Sequence, residues 1–242
     1  IQGFMERLAD MSQDEQKATR EFIEKRVISA KEELGEAENK LQEYQLANKI
    51  YSTDDQVKGL MDKYSDIDKA KASNQLDMET AKAALSSIDG QLNSAGVSIA
   101  DSPTIQQCKT QLVQLETTKA GYVGWHTDEN PKMKEINQQI AVARQSLEEE
   151  IGKVVSLQAP SSSAVQQGLL ADKFKNEAAV AIAAGKARAI AEQDVKNNAV
   201  LDELPAKQKG YVQVKRDADV AQEIYVMLAK RLEEAKVAEV MV

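Results

Sequence analysis

The sequence is poor in the residues that cross-link, turn or interrupt a chain. Among its 242 residues are one cysteine, four prolines and 11 glycines, and aromatic residues make up only 4%. A single cysteine excludes an intramolecular disulfide and any zinc site built on several cysteines. So few turn-forming and aromatic residues are typical of long helices with thin cores, and they disfavour a globular sheet protein.

Long apolar runs are also missing. No run of 18 apolar residues occurs, so no transmembrane helix is predicted within the chain, and no charged-then-apolar signal segment opens it. The chain begins at Ile1 without an initiator methionine and stops at Val242 inside a helical pattern. We therefore expect both ends to be cuts in a longer protein, with any membrane anchors outside this chain.

Charge is plentiful but has no strong bias along the chain. Charged residues make up 29%, and the net charge of -8 comes from acidic and basic side chains that alternate rather than form blocks. This pattern is typical of solvated helix faces, and it argues against nucleic acid as a partner.

Heptad spacing is the strongest positive signal. Near the end of the chain, apolar residues follow one another at alternating steps of three and four: Tyr211, Val214, Ala218, Ala221, Tyr225, Leu228, Leu232 and Ala235. Such a seam predicts a helix that lies along another helix. Similar stripes run from Ile23 to Tyr44 and from Val57 to Leu92, the second interrupted by the polar residues Lys71 and Asn74.

The predicted fold is all-α (mainly), a single elongated helical domain over 1–242. Long antiparallel helices are expected to form extended coiled-coil hairpins. Capping and proline signals, such as Ser102-Pro103 and Leu204-Pro205, place the breaks. The predicted helices span about 14–50, 53–94, 103–120, 131–157, 163–203 and 206–242.

No pattern of catalytic residues is found. His126 is a lone loop histidine without a nucleophile or a second ligand, and Cys108 falls in an apolar stripe, where a core position is expected. Glycine-rich phosphate loops, zinc-protease patterns and nucleophile elbows are absent from the sequence. We therefore predict no catalytic residue, no cofactor and no metal, and the chain is not expected to be an enzyme.

Four stretches, in order, carry a family resemblance. They are Glu21-Phe22-Ile23-Glu24-Lys25-Arg26 with Glu32 to Leu41 after it; Asp128-Glu129-Asn130-Pro131-Lys132-Met133; Glu203-Leu204-Pro205; and Val214-Lys215-Arg216-Asp217 through Ala235 to Glu239. Together they resemble the extracytoplasmic part of bacterial polysaccharide co-polymerases, the chain-length determinant (Wzz-type) family, including its exopolysaccharide-export members. Asn130 departs from the family, in which histidine commonly precedes the proline.

The resemblance implies a non-catalytic scaffold in the inner membrane, with this segment periplasmic or extracytoplasmic. It implies a homo-oligomer beside the polymerase or export machinery, contact with the glycan, two flanking transmembrane helices, and at most a remnant of a membrane-proximal α/β domain. The signature residues are Phe22, Glu38, Pro131, Pro205, Arg216, Asp217, Tyr225, Arg231, Leu232, Glu234 and Ala235. Trp125 is a candidate glycan contact, because aromatic faces stack on sugar rings.

Two other classes of protein remain open at this stage. A periplasmic adaptor of an efflux or secretion system also contains a helical hairpin, but it should carry lipoyl-like β segments beside that hairpin. A cytoplasmic structural coiled coil would be favoured if the full gene encoded no transmembrane helices.

Overall fold

The computed structural model describes residues 4–9, 11, 13–50, 55–123 and 126–241. Seven helices occur in these ranges: α1 (Phe4–Ala9), α2 (Gln13–Asn48), α3 (Asp55–Ala95), α4 (Pro103–Ala120), α5 (Pro131–Gln158), α6 (Ala164–Asp202) and α7 (Ala206–Val240). The same ranges contain no strand. The predicted all-α fold is confirmed, and the described residues hold no remnant of an α/β domain.

Local signals set the helix boundaries. Ser102 caps α4 by accepting a hydrogen bond from the backbone N–H of Ile105 at 3.4 Å, and Pro103 occupies the first turn. Asn130 caps α5 in the same way, and Ser163 begins α6 with a reciprocal capping box to Gln166. These polar side chains satisfy backbone donors that a helix start leaves unpaired, so the predicted boundaries agree with the structure to within a few residues.

The first and last long helices, α2 and α7, form an extensive antiparallel pair. Arg20 makes an ion pair with Glu239 at one end of the pair, and the Tyr44 hydroxyl donates to the backbone oxygen of Lys207 at 2.7 Å at the other. The start of α2 and the end of α7 therefore lie at the same end of this helix pair. The second half of α2 is less covered than the first, because no residue of α2 after Ala30 is buried.

Helices α3 and α6 form the other extensive pair, also antiparallel. Asp89 lies 3.3 Å from Lys173, and the buried Asn74 amide donates to the Ala183 carbonyl at 2.8 Å. Of the two polar residues that interrupt the α3 stripe, Asn74 is thus buried and satisfied, whereas Lys71 is exposed.

The predicted arrangement of coiled-coil hairpins is not confirmed. The two most extensive contacts join α2 to α7 and α3 to α6, helices that are far apart in the sequence. A heptad stripe shows that a helix has a partner, but it carries no information on which helix the partner is.

Helices α4 and α5 pack on the α3–α6 pair, and the end of α4 reaches as far as Ile190 of α6. Helix α4 runs parallel to α6, while α5 packs against α4 and the first part of α6, and these elements enclose the largest core cluster with the last part of α3. A second cluster joins α1, α2, α7 and the middle of α3. A third lies where α3 and α7 begin and α6 ends.

Candidate functional site

Signature residues from the two ends of the chain meet in one cluster. Phe22 of α2 and Tyr225 and Leu232 of α7 are half-buried there, and Ala235 is fully buried. The first and the last stretches of the family resemblance are therefore in direct contact, although about 200 residues separate Phe22 from Tyr225 in the chain.

Arg231 ties this cluster to α3 and α1. Only 9% of Arg231 is exposed, and its guanidinium lies 2.9 Å from the carboxylate of Asp77. The same guanidinium lies 5.1 Å from the ring centroid of Phe4, within the range of a cation–π contact. Arg231 thus holds three helices together.

Arg216 forms a second, more elaborate polar centre. Its Nε and Nη2 donate to the two carboxylate oxygens of Asp68 at 2.8 and 2.7 Å, and Nη2 also donates to Asp194 at 2.6 Å. The guanidinium stacks 4.0 Å from the ring centroid of Tyr64, whose hydroxyl donates to Asn198 Oδ1 at 2.6 Å. This centre joins α3, α6 and α7.

The pKa shifts of the charged residues around Arg216 favour a structural role for this centre. Burial raises the pKa of Asp68, and the hydrogen bonds and charge of Arg216 act against that rise. Burial acts to lower the pKa of Arg216, but the two carboxylates outweigh it and raise that pKa. A guanidinium that keeps its proton offers no general acid or base, so the centre holds helices rather than moving protons.

The alkaline titration of Tyr64 provides a test of this centre. Burial raises the pKa of the Tyr64 hydroxyl to about 12, above its ordinary value of 10.0, with the nearby carboxylates adding to the rise and Arg216 opposing it. The contribution of Tyr64 to stability is therefore present below about pH 10 and is lost as pH rises towards 12. In an ultraviolet titration we expect one tyrosine to ionise late, and Tyr64→Phe to remove that late step. Ionisation of every tyrosine together near pH 10 would contradict the buried centre.

The other signature residues have different surroundings. Pro131 and Pro205 are exposed and lie where α5 and α7 begin, Glu38 and Asp217 are exposed, and Glu234 is half-buried. Trp125, the candidate glycan contact, lies outside the described residues. The structure therefore brings together only part of the signature set.

A cavity of about 180 Å³ lies between α1 on one side and α4 and α5 on the other. Residues of α3 and α6 also line it. Phe4 lines one side, and the other side carries Glu116, only 2% exposed, which accepts a hydrogen bond from Arg144. Its wall also includes Asp77, which is paired with Arg231. The described residues contain no group of three or more His, Cys, Asp or Glu side chains placed to hold a metal ion.

The two residues considered for chemistry have structural surroundings. Cys108 packs against the largest core cluster but stays partly exposed, at its edge rather than in the predicted core position. His126 Nδ1 lies 3.1 Å from Asn130 Nδ2, and its ring makes an edge contact with Tyr122 at 5.0 Å between centroids. These contacts link the loop before α5 to the capping residue of that helix.

The sequence did not predict the partners of Arg216 and Arg231. Asp68, Asp77 and Asp194 look like ordinary solvated acids of an amphipathic helix, and only their distant positions opposite α7 give them a role. Tyr64 lies within the apolar stripe that runs from Val57 to Leu92, which agrees with its full burial. No pattern in the sequence predicted the hydrogen bond that the Tyr64 hydroxyl donates to Asn198.

Comparison of the chain with protein-family models, curated proteins and solved structures found no match. Among the described helices, none is both long enough and apolar enough to cross a membrane.

Proposed function

We propose that this chain is the helical scaffold of a chain-length determinant, a non-catalytic protein that regulates the length or export of a bacterial surface polysaccharide. The observation that carries the proposal is the antiparallel pairing of α2 with α7, which places the start of α2 and the end of α7 at one end of that pair. In this proposal that end of the pair faces the membrane.

The contacts of the signature residues support the same proposal. Phe22 and Tyr225 share a cluster, and Arg216 and Arg231 both bind α3 through buried or half-buried ion pairs. These four residues thus help to maintain one arrangement of long helices, as expected of a scaffold that acts through its shape. In this proposal several copies assemble beside the polymerase or export machinery, and the geometry of the oligomer limits how long a growing glycan stays engaged.

Deletion of the full gene in its host tests this function. We expect the surface polysaccharide to show an altered length distribution, or to be lost, on a gel, and the intact gene to restore it. An unchanged ladder would reject the proposal. Loss of efflux or secretion together with an unchanged ladder would instead identify a periplasmic adaptor.

A further inference from the structure

The cavity between α1 and the α4–α5 side of the molecule has partly apolar walls. Its volume of about 180 Å³ is somewhat larger than that of an engineered cavity of about 150 Å³ that holds one benzene molecule. Phe4 of α1, Leu112 of α4, Leu147 of α5 and Ile182 of α6 all line it, and the two leucines are buried. The cavity can therefore enclose the apolar part of one small molecule, but not a polymer.

The acidic side chains in the cavity wall are already engaged or exposed. Asp77 pairs with an arginine of α7, and the buried Glu116 pairs with Arg144. Asp172 also has a partner, and Glu148 is exposed to solvent. A cationic ligand would therefore have to compete with existing partners for a buried carboxylate.

The basic side chains in the wall can still bind a ligand. Lys175 and Lys186 are half-buried, and among the described residues neither forms an ion pair. A guanidinium carries several N–H donors, and in the same part of the chain that of Arg144 makes one hydrogen bond, to Glu116 Oε1 at 2.5 Å. The Arg144 side chain remains 29% exposed. Donors are thus available for an anion.

The charges next to the cavity also favour an anion. Burial lowers the pKa of Lys119, which lies about one turn after Glu116 on α4. The charge of Glu116 opposes this shift, whereas the charges of Lys186 and Arg144 add to it. Three cations therefore lie close enough to act on one another, and they outnumber Glu116 and the exposed Asp128.

We propose that this cavity binds a small monoanion with an apolar body, such as an aromatic or branched aliphatic carboxylate. The apolar body lies among Phe4, Leu112 and Leu147, and the carboxylate accepts hydrogen bonds from Arg144 and Lys186. The bound molecule joins α1 to α4 and α5, with which α1 has no extensive contact among the described residues. This site is independent of the proposed polysaccharide function, so either can fail without the other.

Three ligands of nearly the same shape and different charge test the proposal: the anion benzoate, the neutral benzamide and the cation benzamidine. We expect benzoate to bind with a Kd of about 1 mM or tighter, and at least about 10-fold more tightly than the other two, because only its carboxylate gains charge-assisted hydrogen bonds here. In nuclear magnetic resonance spectra, the methyl signals of Met11 on the α1 side and of Leu112 and Leu147 on the other side should all shift. Absence of these shifts with benzoate would overturn the proposal. So would binding of benzamide or benzamidine as tight as that of benzoate.

A change of charge in the wall tests the position of the anion. We expect Lys186→Gln to weaken benzoate binding by about 5–10-fold, because a charged donor is lost. The matched control is Lys153→Gln, which removes the same charge at an exposed position of α5 that does not line the cavity and should bind like the wild type. Equal affinities of Lys186→Gln and the wild type would contradict the proposed contact.

A change of volume tests whether the ligand lies inside the cavity. Ala179 of α6 lines the cavity, so Ala179→Leu should occupy part of its space and weaken benzoate binding by more than about 10-fold. Ala184→Leu places the same side chain at an exposed position of α6 and should leave binding unchanged. Circular dichroism checks that both variants are folded, and Lys186→Gln, which needs no space in the core, tests the site if Ala179→Leu does not fold. Unchanged affinity in folded Ala179→Leu would place the ligand elsewhere and overturn the proposal.

Discussion

Arg216→Met is expected to lower the free energy of unfolding by about 2–4 kcal/mol at neutral pH. The substitution keeps an apolar stem over Tyr64 but leaves the carboxylates of Asp68 and Asp194 facing each other without a cation. The side chains of Arg216, Asp68 and Asp194 are 18, 9 and 20% exposed, so solvent reduces the loss below that of a fully buried pair. Urea unfolding followed by circular dichroism measures the change.

A neighbouring lysine provides the matched control. Lys215 pairs with Asp219 on α7, where the two side chains are 38 and 47% exposed and thus more open to solvent than those of the Arg216 centre. Lys215→Met should therefore cost less than about 0.5 kcal/mol. Adding Asp68→Asn and Asp194→Asn to Arg216→Met should recover part of the lost stability, because the like charges are removed. An equal loss in the Lys215 and Arg216 variants would show that the centre contributes no more than a surface pair.

The pH dependence of the Arg216 variant has a definite sign. Burial already raises the pKa of Asp68, and without Arg216 only the charge of Lys71 still opposes that rise, so the carboxyl binds a proton more tightly in the folded variant than in the unfolded chain. The contribution of Asp68 to the stability of the variant is then present at low pH and is lost as pH rises through its raised pKa. We expect the difference in unfolding free energy between wild type and variant to be wider at about pH 7 than at about pH 4.

The helices could be predicted from the sequence because their signals are local. Ser102-Pro103 and Asn130-Pro131 act within one turn of chain, and each combines a side-chain cap with a proline that has no N–H to satisfy. An apolar stripe likewise reports the period of its own helix. Such information requires no knowledge of what the helix packs against.

The pairing of the helices could not be predicted in this way. The α7 seam contains fully buried Leu228 and Ala235 but only half-buried Val214, while Val212, which is off the seam, is fully buried. This happens because α7 contacts α2 and α3 at the same time, and a single heptad stripe describes contact with one partner. The residue pairs that determine the arrangement, such as Asp68 with Arg216, are far apart in the chain.

The candidate site was predicted only in part for the same reason. Family resemblance selected Arg216 and Arg231, but it said nothing of the carboxylates on α3 that receive them. Both arginines hold α7 parallel to α3 at points about 22 Å apart along α7. The signature of α7 therefore describes an internal contact of the scaffold.

A second large loss of stability is expected from substitutions where α4 and α6 pack against each other. Gly185 is buried in α6, and a Cβ at that position would overlap Thr117 Oγ1 and lie 3.1 Å from Val113 Cγ1. Gly185→Ala should therefore lower the free energy of unfolding by about 1–2 kcal/mol despite the better helix propensity of alanine. Gly185→Leu should exceed about 3 kcal/mol, because a branched side chain would force the two helices apart.

A second substitution separates this crowding from a general effect of changing the glycine. The Thr117 hydroxyl is buried and makes no hydrogen bond among the described residues, so Thr117→Ala removes the overlap without losing a partner. Combined with Gly185→Ala, it should restore most of the lost stability. Gly152→Ala, at an exposed position of α5 with open space around it, should instead stabilise the protein by about 0.5–1 kcal/mol. If Gly185→Ala behaved like Gly152→Ala, α4 and α6 could not approach as closely as the structure shows.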